Sequence, residues 1–577
     1  MKPTPSSGAQ RPMLTWSKFI LTVITLGFVL FCTVAGISIT PFITPFGLLL
    51  SGRWITQIFL AYLNNKKYIT VLGRAIVDGL YRLAPNLPEE EVARLEAAVG
   101  KMMRVDQFLK IIYSTSAAQM PNFTAKLHLA VVANLKDAGY KVERSSSIMV
   151  PAYGLSADEL VTTLEAVLMQ TMPPLEIWVI LNDPKNYPLI EGARAWARAK
   201  KREITRQYRA GEINEERYHF LIERIRVINL TIADKRTAMA VGWLSTHNIP
   251  EEQAEPMVQE MFDHPEREVE LPTPNTQISV NLDSDTLSHS WALFMTYLCF
   301  VLFDLSGLTS NVRIKNMPKT PWEDKSKPLL KRIFAWVLLW MTYFRYDEAN
   351  NKERAAESFF NCVVCMSGPW MAIETSLVGK FIGSFVNFTY KGVRIRQGDD
   401  RYTTYQLNKM KKKVGYCPWV ETYTDAPDIL SRFYSQQDRW TVSMFVVFFT
   451  SIFTGQIWML HPWSILDQFY AAGFSFVLAG VILRLTVNAL ITAATVNTQA
   501  AIEVVLPYAI VFVVVNFLRG AYSAYVNKKW LGFLNSFYFI VVLAILFPIK
   551  LSRLFVKGLV QDPKKHPPVW GGRPEAK

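Results

Sequence analysis

Cysteine is scarce in this sequence, with 5 residues in 577. So few cysteines form no disulfide framework, and they indicate a reducing compartment. Cys362 and Cys365 have the spacing of half a zinc site. No second pair and no suitably spaced histidine accompanies them, so we do not expect a zinc site there.

Charged residues are also few, at 19%, whereas half of the residues are hydrophobic. Together with a mean hydropathy of +0.14, this balance is typical of a membrane protein that carries a sizeable soluble domain. The net charge of +14 favours an anionic partner. No nucleic-acid-binding module is recognisable and the basic residues cluster beside apolar segments, which argues against nucleic acid and favours lipid plus nucleotide.

Two apolar runs predict an N-terminal transmembrane hairpin over residues 14–63. The run at 19–40 is uncharged and long enough to cross about 30 Å of hydrocarbon. The basic residues before it indicate a cytoplasmic N-terminus. The run at 46–63 returns despite Arg53, and the Asn-Asn-Lys-Lys sequence at 64–67 anchors its inner side.

The middle of the chain has the pattern of a soluble domain. Residues 64–146 have a helical, cytosolic pattern to which we assign no role. Over residues 147–440 apolar strands alternate with helices, and a charged helical insertion lies at 187–223. Such alternation predicts an α/β domain with a mostly parallel sheet, which binds ligands at the carboxyl ends of its strands.

Acidic residues fall at this predicted edge of the sheet. Asp283 and Asp285 follow an apolar strand, and two carboxylates there can hold a hard divalent cation against a diphosphate, although Asp-Ser-Asp is also an ordinary turn composition. Asp183 ends another predicted strand. Lys235 begins a helix, where a cation is favourable only beside an anion. A solvated basic turn is the alternative for this lysine.

Two later segments also carry chemistry. Asp399 and Asp400 repel each other, so one can act as a base while hydrogen bonds hold its neighbour. Loop capping is the alternative for either acid. In the Gln-Gln-Asp-Arg-Trp sequence at 436–440, the arginine suits a diphosphate and the tryptophan suits stacking on a sugar ring. As an isolated pattern it would be an interfacial anchor.

Eight short segments follow one another in an order typical of a single family. They are Val-Pro-Ala-Tyr at 150–153, Asp-Ser-Asp-Thr at 283–286, Asn-Val-Arg-Ile-Lys-Asn at 311–316, Glu-Ser-Phe-Phe at 357–360, Cys-Met-Ser-Gly-Pro at 365–369, Gly-Asp-Asp-Arg at 398–401, Gln-Gln-Asp-Arg-Trp at 436–440 and Trp-Gly-Gly-Arg at 570–573. In these segments the chain resembles the membrane-embedded, processive family-2 glycosyltransferases, most closely the hyaluronan synthases.

This resemblance implies an α/β fold class, with a cytosolic GT-A-like (Rossmann-like) domain combined with an α-helical transmembrane domain. It implies an inverting enzyme that polymerises UDP-sugars into a β-linked, hyaluronan-like polysaccharide and exports the growing polysaccharide through its own channel. The implied cofactor is Mg²⁺ or Mn²⁺. The implied location is a multi-pass position in the lipid bilayer of the cell membrane, with the catalytic domain in the cytosol.

The resemblance also implies roles for individual residues. The implied catalytic residues are Asp400, as the general base, and Asp399. The residues implied to bind UDP are Tyr153, Asp183 at the uracil, Lys235 at the diphosphate, Asp283, Arg439 at the leaving UDP, and Trp570. The residues implied to bind the acceptor are Gly368, Pro369, Gln436, Gln437 and Trp440. The metal is assigned to Asp285 with Asp283.

The sequence departs from the family pattern on the acceptor side. Residues 370–374 differ from the usual Leu-Gly continuation, and Asp438 stands where threonine is common. The identity of the sugar therefore stays open, with a single-sugar β-glycan synthase (chitin-like or glucan-like) as one alternative. A membrane transporter whose soluble domain only binds nucleotide is the alternative from another class.

The last part of the chain is predicted as transmembrane or interface helices over 441–560, followed by a cytosolic tail at 561–577. The positive-inside tendency puts Lys528, Lys529 and Trp570 in the cytosol if Pro548 breaks the last helix and the chain turns back. Six polar residues in these runs are candidates to line an export route, with helix-to-helix packing as the equal alternative: Asn488, Asn497, Gln499, Glu503, Asn516 and Arg519.

Overall fold

The structure is a computed structural model that describes residues 43–263, 269–317, 328–527 and 529–556, with the single residues 34 and 320. The predicted run at 19–40 thus lies, apart from one residue, outside the described residues. Lys528 and the tail with Trp570 also lie outside them.

A mixed eight-stranded sheet forms the centre of the molecule, in the order β3-β2-β1-β4-β7-β6-β10-β5. Its strands are β1 (Ser146–Ala152), β2 (Glu176–Leu181), β3 (Ile225–Asn229), β4 (Ile278–Asn281), β5 (Leu287–Ser288), β6 (Gly307–Ile314), β7 (Met371–Glu374) and β10 (Val414–Thr424). A separate antiparallel pair consists of β8 (Thr389–Tyr390) and β9 (Val393–Arg394).

The half formed by β3, β2, β1 and β4 is entirely parallel. Strands β1 and β2 are buried at every residue, as parallel strands with helices on both faces must be. All four strands end at the same edge, which brings the segments after Ala152, Leu181, Asn229 and Asn281 together. The predicted α/β class is confirmed, and this half of the sheet is parallel as expected.

The other half of the sheet is mixed. Strand β7 pairs antiparallel with both β4 and β6, whereas β6 and β10 run parallel with a register shift between Cys417 and Glu421. Strand β7 thereby carries the loop before it, at 365–370, back to the edge where β4 ends. The fold is the GT-A-like arrangement predicted from the sequence.

Helices cover both faces of the sheet and form two hydrophobic cores. On the first face lie α1 (Ile43–Leu83), α2 (Glu89–Ala98), α3 (Val105–Tyr113), α4 (Phe123–Asp137), α5 (Ala157–Leu168), α6 (Tyr187–Arg209) and α10 (Ala292–Phe303). The charged insertion forms α6 and α7 (Glu215–Glu223), and is helical as predicted.

The second face carries another set of helices. They are α8 (Lys235–Thr246), α9 (Glu251–Asp263), α12 (Ala355–Phe359), α13 (Ile382–Val386), α14 (Asp399–Lys409), α15 (Leu430–Phe453) and α16 (Pro462–Thr495). A long helix, α11 (Leu329–Glu348), runs into a π-helical turn at Ala349–Arg354.

The predicted boundary at residues 63 and 64 falls inside α1, which is one continuous helix of 41 residues. Residues 64–146 pack into the first core and are not a separate unit: the Phe108 and Trp419 rings lie 4.8 Å apart, and Trp291 donates a hydrogen bond to the Tyr113 hydroxyl at 3.2 Å. Phe108, Trp291 and Trp419 are buried, so the segment packs against the rest of the domain through aromatic side chains.

Three described helical segments are long and apolar enough to cross a membrane: Pro462–Thr495, Thr498–Asn527 and Trp530–Phe555. The first two are α16 and α17. The third combines 3₁₀ and π turns with α18 (Tyr538–Val541) and α19 (Phe547–Leu551). The expectation that Pro548 breaks this segment is wrong. Helical turns continue from Tyr538 through Pro548, and a π-helical turn at Val542–Leu546 directly precedes α19. Such a local change of the backbone hydrogen-bond pattern accommodates the missing N–H of proline without a break.

Candidate active site

One cavity of about 1880 Å³ extends from the carboxyl edge of the parallel strands to the apolar helices. Its wall contains every residue that the sequence singled out for catalysis, UDP, acceptor or metal, except Trp570, which lies outside the described residues. These residues are Tyr153, Asp183, Lys235, Asp283, Asp285, Gly368, Pro369, Asp399, Asp400, Gln436, Gln437, Arg439 and Trp440. Their individual roles stay predictions.

A lysine joins the two acidic segments at the sheet edge. Lys235 Nζ lies 2.6 Å from Asp283 Oδ1 and 3.2 Å from Asp399 Oδ2. Burial acts to lower the pKa of Lys235, but these two carboxylates outweigh it and raise the pKa. The Asp234 side chain caps the start of α8 by accepting from the Arg236 backbone N–H. The cation at the helix start therefore has anions beside it, as the sequence required.

Asp183 lies beside the turn that follows β1. Its Oδ2 accepts a hydrogen bond from the backbone N–H of Gly154 at 3.2 Å, so the segments after β1 and β2 are linked at the edge. This contact follows from the parallel pairing of β1 and β2, which end at the paired residues Ala152 and Leu181. It leaves the other carboxylate oxygen of Asp183 available to a ligand in the cavity.

The loop before β7 approaches the acids closely. A Cβ on Gly368 would lie 2.7 Å from Asp283 Oδ2, so only glycine fits beside the carboxylate in this arrangement. Among the described residues no three His, Cys, Asp or Glu side chains form a metal site alone. Asp283 and Asp285 offer two hard oxygen donors at an open cavity, which fits a divalent cation that takes its remaining ligands from a diphosphate.

Asp400 lies at the start of α14, next to Asp399. Burial and the neighbouring Asp399 raise the pKa of Asp400, while Lys235 and Arg401 oppose this shift. Gly398, at φ +72°, turns the chain into α14, and a Cβ there would overlap Ser443. A buried carboxylate with a raised pKa is a stronger base than an exposed one, which suits proton abstraction.

The loop before Asp399 and Asp400, here called the base loop, is hydrogen-bonded to α8, the helix that carries Lys235. The fully buried Arg236 donates to the backbone oxygens of Phe385, at 2.9 Å, and Gln397, at 3.1 Å. Its guanidinium also packs over three aromatic rings, those of Phe385, Phe388 and Tyr402. Sequence reasoning paired Arg236 with Lys235 as a basic turn, but in the structure Arg236 is a core residue that fixes the loop before Asp399.

The Gln-Gln-Asp-Arg-Trp sequence lies within α15, at the wall opposite the sheet edge. The Gln436 amide reaches the Tyr346 hydroxyl at 3.5 Å, and the Trp440 ring lies 6.1 Å from the Tyr346 ring. Burial lowers the pKa of Arg439, partly offset by Asp283 and Asp438. Asp438, which stands where threonine is common in the family, forms an ion pair with Arg553 from the last described helical segment.

The membrane-side wall of the cavity contains charged residues that the sequence reasoning missed. Arg53 on α1 pairs with Asp467 on α16, and Arg345 on α11 pairs with Glu353 through two contacts of 2.9 Å. Lys550 on α19 also lines this wall. The only signal in the sequence was a lone charge within or beside an apolar run. These residues come from four helices that are far apart in the chain.

The polar residues predicted to line an export route do not line this cavity. Gln499 and Glu503 are exposed and contact each other, and Asn497 caps its own helix by accepting from the Ala500 N–H. Asn516 donates to the Phe512 carbonyl, and Arg519 forms an ion pair with Glu348. Local and helix-to-helix contacts therefore account for five of the six polar residues, all except Asn488, and such packing was the alternative considered for them.

Comparison with known proteins confirms the resemblance inferred from the motifs. Hyaluronan synthase 3 from Xenopus laevis is 29% identical over 159 residues, which are 27% of this chain and 28% of that protein. Hyaluronan synthase 1 from Xenopus tropicalis is 30% identical over 146 residues, 25% of this chain and 24% of that protein. Hyaluronan synthase 2 from Xenopus laevis is 24% identical over 225 residues, 39% of this chain and 38% of that protein. The chain thus spans about a quarter to two fifths of the length of these curated relatives.

No protein family model matches the chain. Among solved structures, the mannosyltransferase PcManGT from Pyrobaculum calidifontis, in complex with GDP-Man and Mn²⁺, has a TM-score of 0.38 and 14% identity. That similarity covers 76% of this chain and 96% of the mannosyltransferase. The fold assignment rests on the sheet itself.

Proposed function

Starting from the similarity to hyaluronan synthases, we propose that the chain is a processive, inverting hexosyltransferase that polymerises UDP-sugars into a β-linked, hyaluronan-like polysaccharide. One observation carries the proposal: acids, a lysine, an arginine and a tryptophan from five separated segments all border one cavity. A domain that only binds nucleotide, as in the transporter alternative, has no use for the base loop or for α15.

Asp183 and Tyr153 bind the uridine at the ends of β2 and β1. Lys235 and Arg439 face the diphosphate from opposite walls and offset the charge that develops on the leaving UDP. Asp400 accepts the proton of the acceptor hydroxyl as that oxygen attacks the anomeric carbon and the bond to UDP breaks. One base and one stabilised leaving group suffice for inversion, with the acceptor held by Trp440, Gln436, Gln437 and the loop at Gly368 and Pro369.

The divalent cation, Mg²⁺ or Mn²⁺, is held by Asp285 with Asp283. When bound it neutralises negative charge on the diphosphate. The ion pair of Asp283 with Lys235 keeps both side chains close to where the diphosphate would bind.

The experiment is to incubate the purified protein with single UDP-sugars and with pairs, with Mg²⁺ or Mn²⁺, and to digest the product with defined glycosidases. A high-molecular-weight product that a hyaluronan-degrading enzyme removes supports the proposal. A product made from one UDP-sugar alone would instead support the single-sugar β-glycan synthase. UDP binding with no transfer under any condition would favour the transporter alternative.

We further propose that the protein is a multi-pass protein of the cell membrane, with a cytosolic catalytic domain, and that it exports its product. The three apolar helices and the continuity of the cavity with their charged ends support this. In sealed vesicles with the active site outward, polymer should be protected from added glycosidase. A cysteine introduced at position 528 should resist labelling from outside intact cells, and strong labelling would contradict the cytosolic assignment. Since helical turns continue through Pro548, a cytosolic position 570 requires that Trp530–Phe555 lies along the membrane interface, and labelling of a cysteine at 570 tests this.

A further inference from the structure

One cation in the membrane-side wall of the cavity lacks an acidic partner. Lys550 donates hydrogen bonds from Nζ to the Ala471 carbonyl and to the Ser475 hydroxyl, both at 2.9 Å. Within the described part of the chain, no carboxylate lies within 4.0 Å of its ammonium group. The other two cations of this wall, Arg53 and Arg345, are each paired with an acid.

A lysine in this wall without an acidic partner costs folding free energy unless a ligand compensates its charge. Lys550 belongs to a segment apolar enough to span a membrane, and an ionisable residue there typically faces a path for a charged or polar ligand. A lysine ammonium has three N–H donors, and protein oxygens take two. The third donor of Lys550 is thus available to an anion inside the cavity, whose wall this residue forms.

The position of Lys550 is fixed relative to the acceptor wall. Arg553 lies one helical turn further on and forms an ion pair with Asp438, next to Arg439 and two residues before Trp440. On the other side, the two acceptors of Lys550 lie on α16, four residues apart. A chain that leaves the acceptor site beside Trp440 toward the apolar helices therefore passes Lys550.

We propose that Lys550 binds a carboxylate of the growing polysaccharide, and that it is a specificity-determining contact for a polymer that contains uronic acid. This inference rests on the proposed function. A neutral hydroxyl-rich chain would leave the ammonium group without an anion, whereas a uronic acid carboxylate would supply a charge-assisted hydrogen bond. Contact with the chain after transfer retains the product between additions and does not affect the binding of UDP-sugars.

The test compares wild type with Lys550→Gln and Lys550→Arg, each reconstituted with UDP-glucuronic acid and UDP-N-acetylglucosamine. In Lys550→Gln, mean product length should fall roughly tenfold, since loss of one charge-assisted hydrogen bond speeds release by about that factor. The initial rate of UDP release and the KM of each UDP-sugar should stay unchanged. Lys550→Arg should restore most of the length. Lys529→Gln is the matched control, because Lys529 packs over the Trp340 ring and does not line the cavity.

A second arm uses wild-type protein alone, so it does not depend on the folding of a variant. Uronic-acid-containing oligosaccharides should remain bound roughly ten times longer than the same oligosaccharides after reduction of their carboxyl groups. Equal retention of both, or full-length product from Lys550→Gln, would overturn the role of Lys550. Polymer made only from a neutral UDP-sugar would overturn it too, while leaving the proposed polymerase intact. No polymer from any UDP-sugar would overturn the proposed function, and the oligosaccharide arm would still decide the Lys550 contact.

Discussion

The two walls of the cavity are built differently. At the sheet edge, acids from two segments gather around one lysine, so that Asp283 and Asp399 both contact Lys235 and Asp400 lies beside them. At the membrane side, side chains from four helices neutralise one another in ion pairs, with Lys550 as the exception. In the proposed function, the first wall holds a metal and a diphosphate. The second presents an almost neutral polar surface, which in the proposed function lets a sugar chain pass.

The difference predicts that substitutions in the sheet-edge wall change chemistry, whereas those in the membrane-side wall change product handling. The largest effect is expected for Asp400→Asn, which removes the base. Polymer synthesis should fall by about 10²–10⁴-fold, while UDP affinity stays within about twofold, because the base acts on the acceptor. The rate of UDP release measures polymer synthesis, and calorimetry measures the affinity for UDP. The exposed Asp158→Asn is the control, and normal turnover by Asp400→Asn would refute the assignment of the base.

A smaller effect is expected for Asp285→Asn, which removes one oxygen donor for the metal. Metal-dependent UDP affinity should drop roughly 10-fold or more, since one of two hard ligands is lost. A UDP titration at fixed Mn²⁺, repeated with EDTA, measures this. If UDP bound equally well with and without metal in the wild type, the metal assignment would fail for both Asp283 and Asp285.

The pH profile separates the two acids of the base loop. Asp400 must be ionised to act, and its pKa is raised by burial and by Asp399, so activity should fall on acidification at a pH above that of an ordinary carboxyl group. Asp399→Asn removes one of the two causes. The pKa of Asp400 then decreases, and the acid limb of the rate profile should move to lower pH, even though the maximal rate drops. A limb that moves upward would contradict this electrostatic account.

In the membrane-side wall, Asp467→Asn should leave the KM of UDP-sugars within about twofold of wild type. It breaks the pair with Arg53 and should cost about 1–3 kcal/mol of unfolding free energy, because a half-buried cation loses its partner. Unfolding in mixed detergent micelles measures the stability. A large change in KM would mean that the two walls are not functionally distinct.

The smallest effect is expected where the sequence first suggested an export route. Gln499→Ala and Glu503→Gln alter an exposed pair outside the cavity, so rate, KM and product length should each stay within about twofold. Shortened product in either variant would restore these residues as route-lining groups. It would also weaken the assignment of the membrane-side wall.

The sequence predicted the sheet-edge wall well because its spacings translate directly into space. Acids that directly follow apolar strands must meet where parallel strands end, and this located Asp183, Asp283 and Asp285. The membrane-side wall was missed because its members lie on helices far apart in the chain, and no periodicity indicates which face of each helix is turned inward. Pro548 misled for a related reason: whether proline ends a helix depends on whether the turn before it can adjust, as the π-helical turn at Val542–Leu546 does, and no sequence pattern predicts that adjustment.

The continuous helix α1 sets the distance and the angle between the sheet core and the membrane-side wall of the cavity. Its 41 residues extend about 60 Å, with Arg53 near one end and Tyr68, Leu72 and Ile76 buried in the sheet's core near the other. A continuous helix fixes both the distance between its two ends and the rotation of one end relative to the other. One inserted residue between 57 and 68 would rotate its two ends by about 100° relative to each other and turn Arg53 away from Asp467. An insertion of seven residues would nearly preserve the facing but displace the pair by about 10 Å. The register of this single helix thus holds the sheet-edge wall and the membrane-side wall of the cavity in alignment.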